Sequence, residues 1–101
     1  MASRVDLHRI LVDILGSNNV YYQPPPDVRL RYPCIIYELS YEKIDHADNR
    51  PYIHNDRYSV TVVDRDPDSP IPHKIAQLPT CAFDRRYTAE NLYHTTYVIY
   101  Y

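Results

Sequence analysis

Glycine is almost missing from this chain. The 101 residues hold one, Gly16, beside nine prolines. Proline stiffens the connections between elements, so rigid loops are the expectation. Tryptophan is absent and phenylalanine occurs once, which leaves 12 tyrosines as nearly the whole aromatic content. Long apolar runs are also lacking, and the longest is far too short to span a bilayer. The opening MASRVDLHRILVDIL is broken by Asp6, Arg9 and Asp13 and has no signal-peptide stretch, which points to the cytoplasm. Charge of either sign is not in excess. A net −2 gives no general pull toward nucleic acid or an anionic membrane. Cysteine is scarce too: Cys34 and Cys81 both fall in expected strands, as reduced, buried thiols. No catalytic motif stands out. His8, His46, His54, His73 and His94 are scattered, and neither cysteine has an assignable base, so no enzyme is expected.

What is present suits one small globular domain covering residues 1–101. Hydrophobic residues make up 45%, inside the globular range. Tyrosine offers apolar bulk with a polar tip, which suits half-buried faces and faces buried in a partner. It is also favoured in strands for its own sake.

The stretch from Tyr32 to Asp66 organises the rest. Ile35, Tyr37, Leu39 and Tyr41 alternate along one run, and Tyr58, Val60 and Val62 along a second. A strand over about Cys34–Ile44, a loop over Asp45–Asp56 and a strand over Arg57–Asp64 make a long hairpin. The loop holds Asp45, His46, Asp48, His54 and Asp56, residue types that bind divalent ions. Their spacing fits no tight metal signature, so a solvated hairpin tip is the better reading, and no metal or other cofactor is expected.

Before the hairpin, Leu7, Ile10, Leu11, Ile14 and Leu15 follow the i, i+3, i+4 pattern of an amphipathic helix, with Ser3 as N-cap and Gly16 ending it. His8, Arg9 and Asp13 are expected on its opposite side. A short strand over Val20–Gln23 stops at Pro24-Pro25-Pro26, and a stiff loop to Pro33 carries Arg29 and Arg31 on one side. After the hairpin, Asp64, Asp66 and Asp68 imitate the start of a calcium loop, but Ser69 stands where that loop needs glycine. A helix start explains the segment better: Ser69 as N-cap, Pro70 at the first position, the aspartates near the positive end of the dipole. Ile71, Ile75 and Leu78 form its apolar stripe, and Pro79 ends it. Two strands close the chain. Cys81, Phe83, Arg85 and Tyr87 share a face of the first; Tyr93, Thr95, Tyr97, Ile99 and Tyr101 share a face of the second.

The fold class expected is α+β: a mainly antiparallel sheet of four or five strands, two helices packed on one face and a long central β-hairpin. The other face, with its tyrosines, is left wanting a partner.

One resemblance covers nearly the whole chain. The helix LHRILVDILG, the segment VYYQPPPDVRLRYPCIIYEL and the strand SVTVVDRDPDS leading into a short helix resemble the tail-terminator and tail-completion proteins of long-tailed bacteriophages. The matching positions are Val20, Tyr21, Pro24, Tyr32, Pro33, Ile35, Tyr37, Val60 and Val62. The second helix departs from the pattern in being short and proline-rich at its start, which leans toward a neighbouring completion or head-joining group. The resemblance implies a virion structural protein of the tail or neck, assembled in the host cytoplasm. It would cap or complete the end of the tail tube as a ring, commonly a hexamer. Its implied partners are itself, the tail tube protein, the head-connector and neck proteins, and genomic DNA passing through the lumen without specific binding. A ring needs one patch that meets a different patch on the next copy. The candidates are the hairpin residues Asp45, His46, Asp48, Arg50, His54 and Asp56 and the strand residues Tyr93, Tyr97, Ile99 and Tyr101. The acidic Asp45–Asp56 and Asp64–Asp68 segments are candidate lumen linings, since acid does not hold DNA. The alternatives are a head-completion protein, or a small single-stranded nucleic-acid-binding module that stacks bases on sheet tyrosines.

Overall fold

The computed structural model describes the backbone of residues 4–47 and 50–101 and the side chains of residues 4–40 and 56–101. It is a small α+β fold of two helices and one five-stranded mixed sheet. The helix α1 spans Arg4–Leu15. Leu7 and Leu11 are fully buried; Ile10, Ile14 and Leu15 are half-buried at the edges of the stripe. Gly16 stands at φ 79° and bonds the Val12 carbonyl at 2.8 Å, the left-handed residue that closes a helix. Ser3, the expected N-cap, lies outside the described residues.

The strand β1 (Val20–Tyr22) runs parallel to β2 (Cys34–Ala47), with Val20 beside Ile35 and Tyr22 beside Tyr37. The loop between them crosses the sheet face away from α1. Leu30 and Tyr32 turn inward onto Cys34, Val63 and Leu92, while Arg29 and Arg31 stay in solvent. The Tyr32–Pro33 peptide bond is cis. β3 (Arg50–Asp64) pairs antiparallel with β2 and with β5 (Leu92–Tyr100), and β4 (Cys81–Ala89) pairs antiparallel with β5. The strand order is β1-β2-β3-β5-β4. Glu90 and Asn91, both at positive φ, make the two-residue turn between β4 and β5.

Registers fix the faces. Ile35–Val62–Thr95, Tyr37–Val60–Tyr97 and Leu39–Tyr58–Ile99 are cross-strand rows on one side. That side receives Leu7 and Leu11 from α1 and Ile71 and Ile75 from the short helix α2 (Ile71–Ala76), forming the main core. A second, smaller cluster of Cys34, Val63 and Leu92 lies on the opposite side, under the proline loop.

Four expectations need correction. The Asp45–Asp56 segment is mostly strand: β2 continues to Ala47 and β3 begins at Arg50, because backbone pairing does not require apolar side chains. α2 is six residues long, its N-cap is Pro70 without a side-chain cap, and Ser69 only accepts a bond from the Ile71 amide at 3.4 Å. The alternating aspartates do not serve that helix. Asp64 accepts from the Asp66 amide at 3.0 Å and Asp66 from the Asp68 amide at 2.9 Å, two successive Asx turns. A bulge between Phe83 and Arg85 breaks the alternation of β4, so Phe83 keeps the helix side with Arg86, while Arg85 and Tyr87 move to the other.

Candidate functional site

The outer half of the β2–β3 hairpin stands free of the sheet. β1 stops beside Tyr37, and β5 stops beside Arg57. Beyond those points, among the described residues, Tyr41–Ala47 and Arg50–Asn55 pair only with each other, while Asp56 pairs with Glu42 and also bonds Tyr101. They form a two-stranded arm of seven residues a side, about 23 Å at ~3.3 Å per residue. The long dimension of the molecule, 51 Å against 27 and 23 Å, matches the length of β3. The base of the arm is tied down by the C-terminus. The Asp56 amide bonds the Tyr101 carbonyl at 3.2 Å, and the Tyr101 amide bonds the Asp56 carbonyl at 2.9 Å. Tyr58 donates to the Asp56 carboxylate at 3.4 Å. Burial, with Asp56 adding to it, pushes the Tyr58 hydroxyl up to about 12, so it stays a donor.

The two edges of the sheet differ. β1 is three residues long and is followed at once by the prolines, a short and blunted edge. β4 is nine residues long and exposed over Ala82–Thr88, with β5 as its one strand neighbour. Phe83, at 62% exposure, is the most exposed large apolar side chain of the described residues. It packs edge-on against Tyr97 at 5.9 Å and borders a cleft of about 230 Å³ shared with Asp66, His73, Arg86, Tyr93 and Thr95. Arg86 donates to the Pro67 carbonyl at 2.8 Å across this cleft. On the opposite side Arg85 lies over the Tyr87 ring at 5.2 Å, and Tyr87 stacks on His94 at 4.7 Å.

The expected contact residues divide. Tyr97 and Ile99 are 5% and 1% exposed and belong to the core under the helices. The tyrosine-bearing face expected to be open is therefore the covered one. The physical reason is that β2, β3 and β5 carry large residues on both faces, so periodicity alone does not say which face the helices take. Tyr93 is half-buried in the 230 Å³ cleft. Tyr101 is half-buried beside an apolar slot of about 160 Å³ lined by Leu7, Ile10, Leu78 and Ile99. Asp56 is half-buried at the base of the arm. Asp45, His46, Arg50 and His54 lie along the arm, with side chains outside the described residues; Asp48 is outside them altogether. The metal question at this loop therefore also falls outside them.

A polar cluster escaped the sequence reading. Tyr37 is wholly buried, yet its hydroxyl accepts from Arg4 at 3.1 Å and meets His8 Nδ1 at 2.7 Å. Arg4 only donates, so the arrangement that satisfies all three has the Tyr37 O–H donating to a neutral His8. Burial, and then the charge of Arg4, lower the His8 pKa below its ordinary 6.5. Arg4 also caps the Tyr22 ring at 4.4 Å. The available signal was the four-residue spacing of Arg4 and His8 on one helix side. His8 was instead expected to point away from the sheet. Cys34 is buried, and burial with Asp64 nearby pushes its thiol to about 11, so it is protonated at neutral pH and acts as packing. No helix among the described residues is long and apolar enough to cross a membrane.

No protein-family model, no curated protein and no solved structure matches this chain.

Proposed function

We propose that this protein is a structural subunit of a long-tailed bacteriophage, a tail-terminator or tail-completion protein that closes the end of the tail tube as a ring and meets the head connector. The observation that carries the reading is the arm. Outward of Asp56 it is a two-stranded ribbon with no third strand among the described residues; such a ribbon is marginal in water on its own and suits a chain that completes its fold against a neighbour. The resemblance of the first helix, the proline-bearing Val20–Leu39 segment and the β3 sequence to that family supports this choice of assembly. The Asp45–Asp56 segment occupies the outer half of β3 and Asp64–Asp68 follows its other end, with Asp56 about 26 Å from Asp64 at ~3.3 Å per residue. They line a DNA passage together only where β3 runs along the ring axis. Light scattering on the purified chain, followed by electron microscopy of rings alone and on tail tubes, tests the reading. Rings of several copies support it; a strictly monomeric chain that never decorates a tube end contradicts it.

One observation favours a second reading, a single-stranded nucleic-acid module. The Arg85–Tyr87–His94 stack puts a cation and two rings on the sheet face that the helices do not cover. Titration with a labelled oligonucleotide separates the two: salt-sensitive binding lost in Tyr87→Ala supports the module.

A further inference from the structure

The arm and the β4 edge are each half of a β-pairing. Among the described residues both edges of the arm are without a strand partner outward of Asp56, and so is one edge of β4. Among the described residues no backbone hydrogen bond joins β4 to anything beyond β5. The lengths agree, seven residues on each arm strand against nine on β4. The charges are opposite. Tyr41–Asp56 holds Glu42, Asp45, Asp48 and Asp56 against Lys43 and Arg50, whereas β4 holds Arg85 and Arg86 against Asp84. The apolar content agrees as well: the arm carries Ile44, Tyr52 and Ile53, and β4 presents the exposed Phe83.

We propose that the β2–β3 arm of one copy adds as a strand to the β4 edge of the next copy. The occupant of the edge is a second copy of this chain. Its own arm does not serve, because the arm leaves the sheet along the axis of β3, and β5 lies between β3 and β4. The inference rests on the ring reading above and specifies its contact. Arm and edge are different parts of the surface, so the contact is heterologous: every copy offers both halves, and the series closes only as a ring or continues as a filament. Main-chain bonds supply the adhesion, and the opposed charges choose the partner. The bulge between Phe83 and Arg85 and the two arginines protect the edge from uncharged strands, so it is not a general template for aggregation.

Two charge-reversed chains test this. One carries Glu42→Lys and Asp45→Lys on the arm; the other carries Arg85→Glu and Arg86→Glu on β4. Circular dichroism confirms that both remain folded, and light scattering reads the mass. Each alone is expected to stay at the 12.0 kDa monomer mass, and an equimolar mixture is expected to regain the assembly, because each variant arm then meets the other variant's edge. Amide hydrogen exchange on the unmodified chain gives a second readout that needs no variant. The Arg85–Ala89 amides are expected to exchange about tenfold or more slower in the assembly than in dilute monomer. Unmodified assemblies whose β4 amides exchange as in the monomer, reversals that leave the assembly intact, or a mixture that does not restore it overturn this contact while leaving the ring reading in place. An unmodified chain that is monomeric at millimolar concentration and on tail tubes overturns both.

Discussion

The two halves of the β2–β3 hairpin share strands but not surroundings. In the inner half, Ile35, Tyr37, Val60 and Val62 are all at or near zero exposure, flanked by β1 and β5 and roofed by both helices. In the outer half the same two strands continue, and among the described residues no third strand pairs with them there. The inner half is held by burial, at roughly 1.5–3 kcal/mol for each large apolar side chain taken from water. The backbone of the outer half is held by the pairing of its two strands and, at its base, by the Asp56–Tyr101 bonds. The hairpin therefore serves as a core for its own chain and as an extension beyond it.

The largest effect of a substitution is expected in the inner half. Ile99→Asp places a carboxylate, without a designed partner, at a site 1% exposed between Tyr58 and the helices. It should cost roughly 4 kcal/mol or more and unfold the domain in a urea titration. A folded monomer that merely fails to assemble would show that this face is an interface after all. Tyr37→Phe is milder. It removes the hydroxyl that Arg4 and His8 share while keeping the ring, and should lower stability by about 1–2 kcal/mol.

A smaller effect follows from pH. The His8 pKa is lowered in the fold, so the unfolded chain binds the proton more readily. Stability from this group is therefore complete above the ordinary 6.5 and declines as pH falls below it, through the lowered folded value. Urea midpoints between pH 7.5 and 5 should show that decline, and His8→Gln should flatten it.

The inner half was legible in the sequence and the outer half was not. Period-two alternation at Ile35, Tyr37, Val60 and Val62, and the helical spacing of Leu7 and Leu11, record burial, which selects side chains. The arm selects them weakly, so Asp45, His46 and Asn55 read as loop although their backbone pairs. Similarly, β1 is too short to announce its parallel pairing, and the bulge near Asp84 is a backbone event without a residue signature. The candidate contacts divided along the same line. Asp56 lies half-buried at the base of the arm, and Asp45, His46, Arg50 and His54 lie along its backbone. Tyr97 and Ile99 were placed on a free face because large residues on both sides of β5 conceal which side is covered.

Removing the arm leaves the inner half untouched and is the direct test of the two-purpose account. Replacing residues 43–55 by Asn-Gly joins the paired Glu42 and Asp56 through a two-residue turn. The account predicts a chain whose stability in urea stays within about 1 kcal/mol of the original, since an isolated ribbon adds little to its own domain. It also predicts a light-scattering mass that remains monomeric at concentrations where the complete chain forms rings. A shortened chain that still assembles, or one that unfolds, would contradict it.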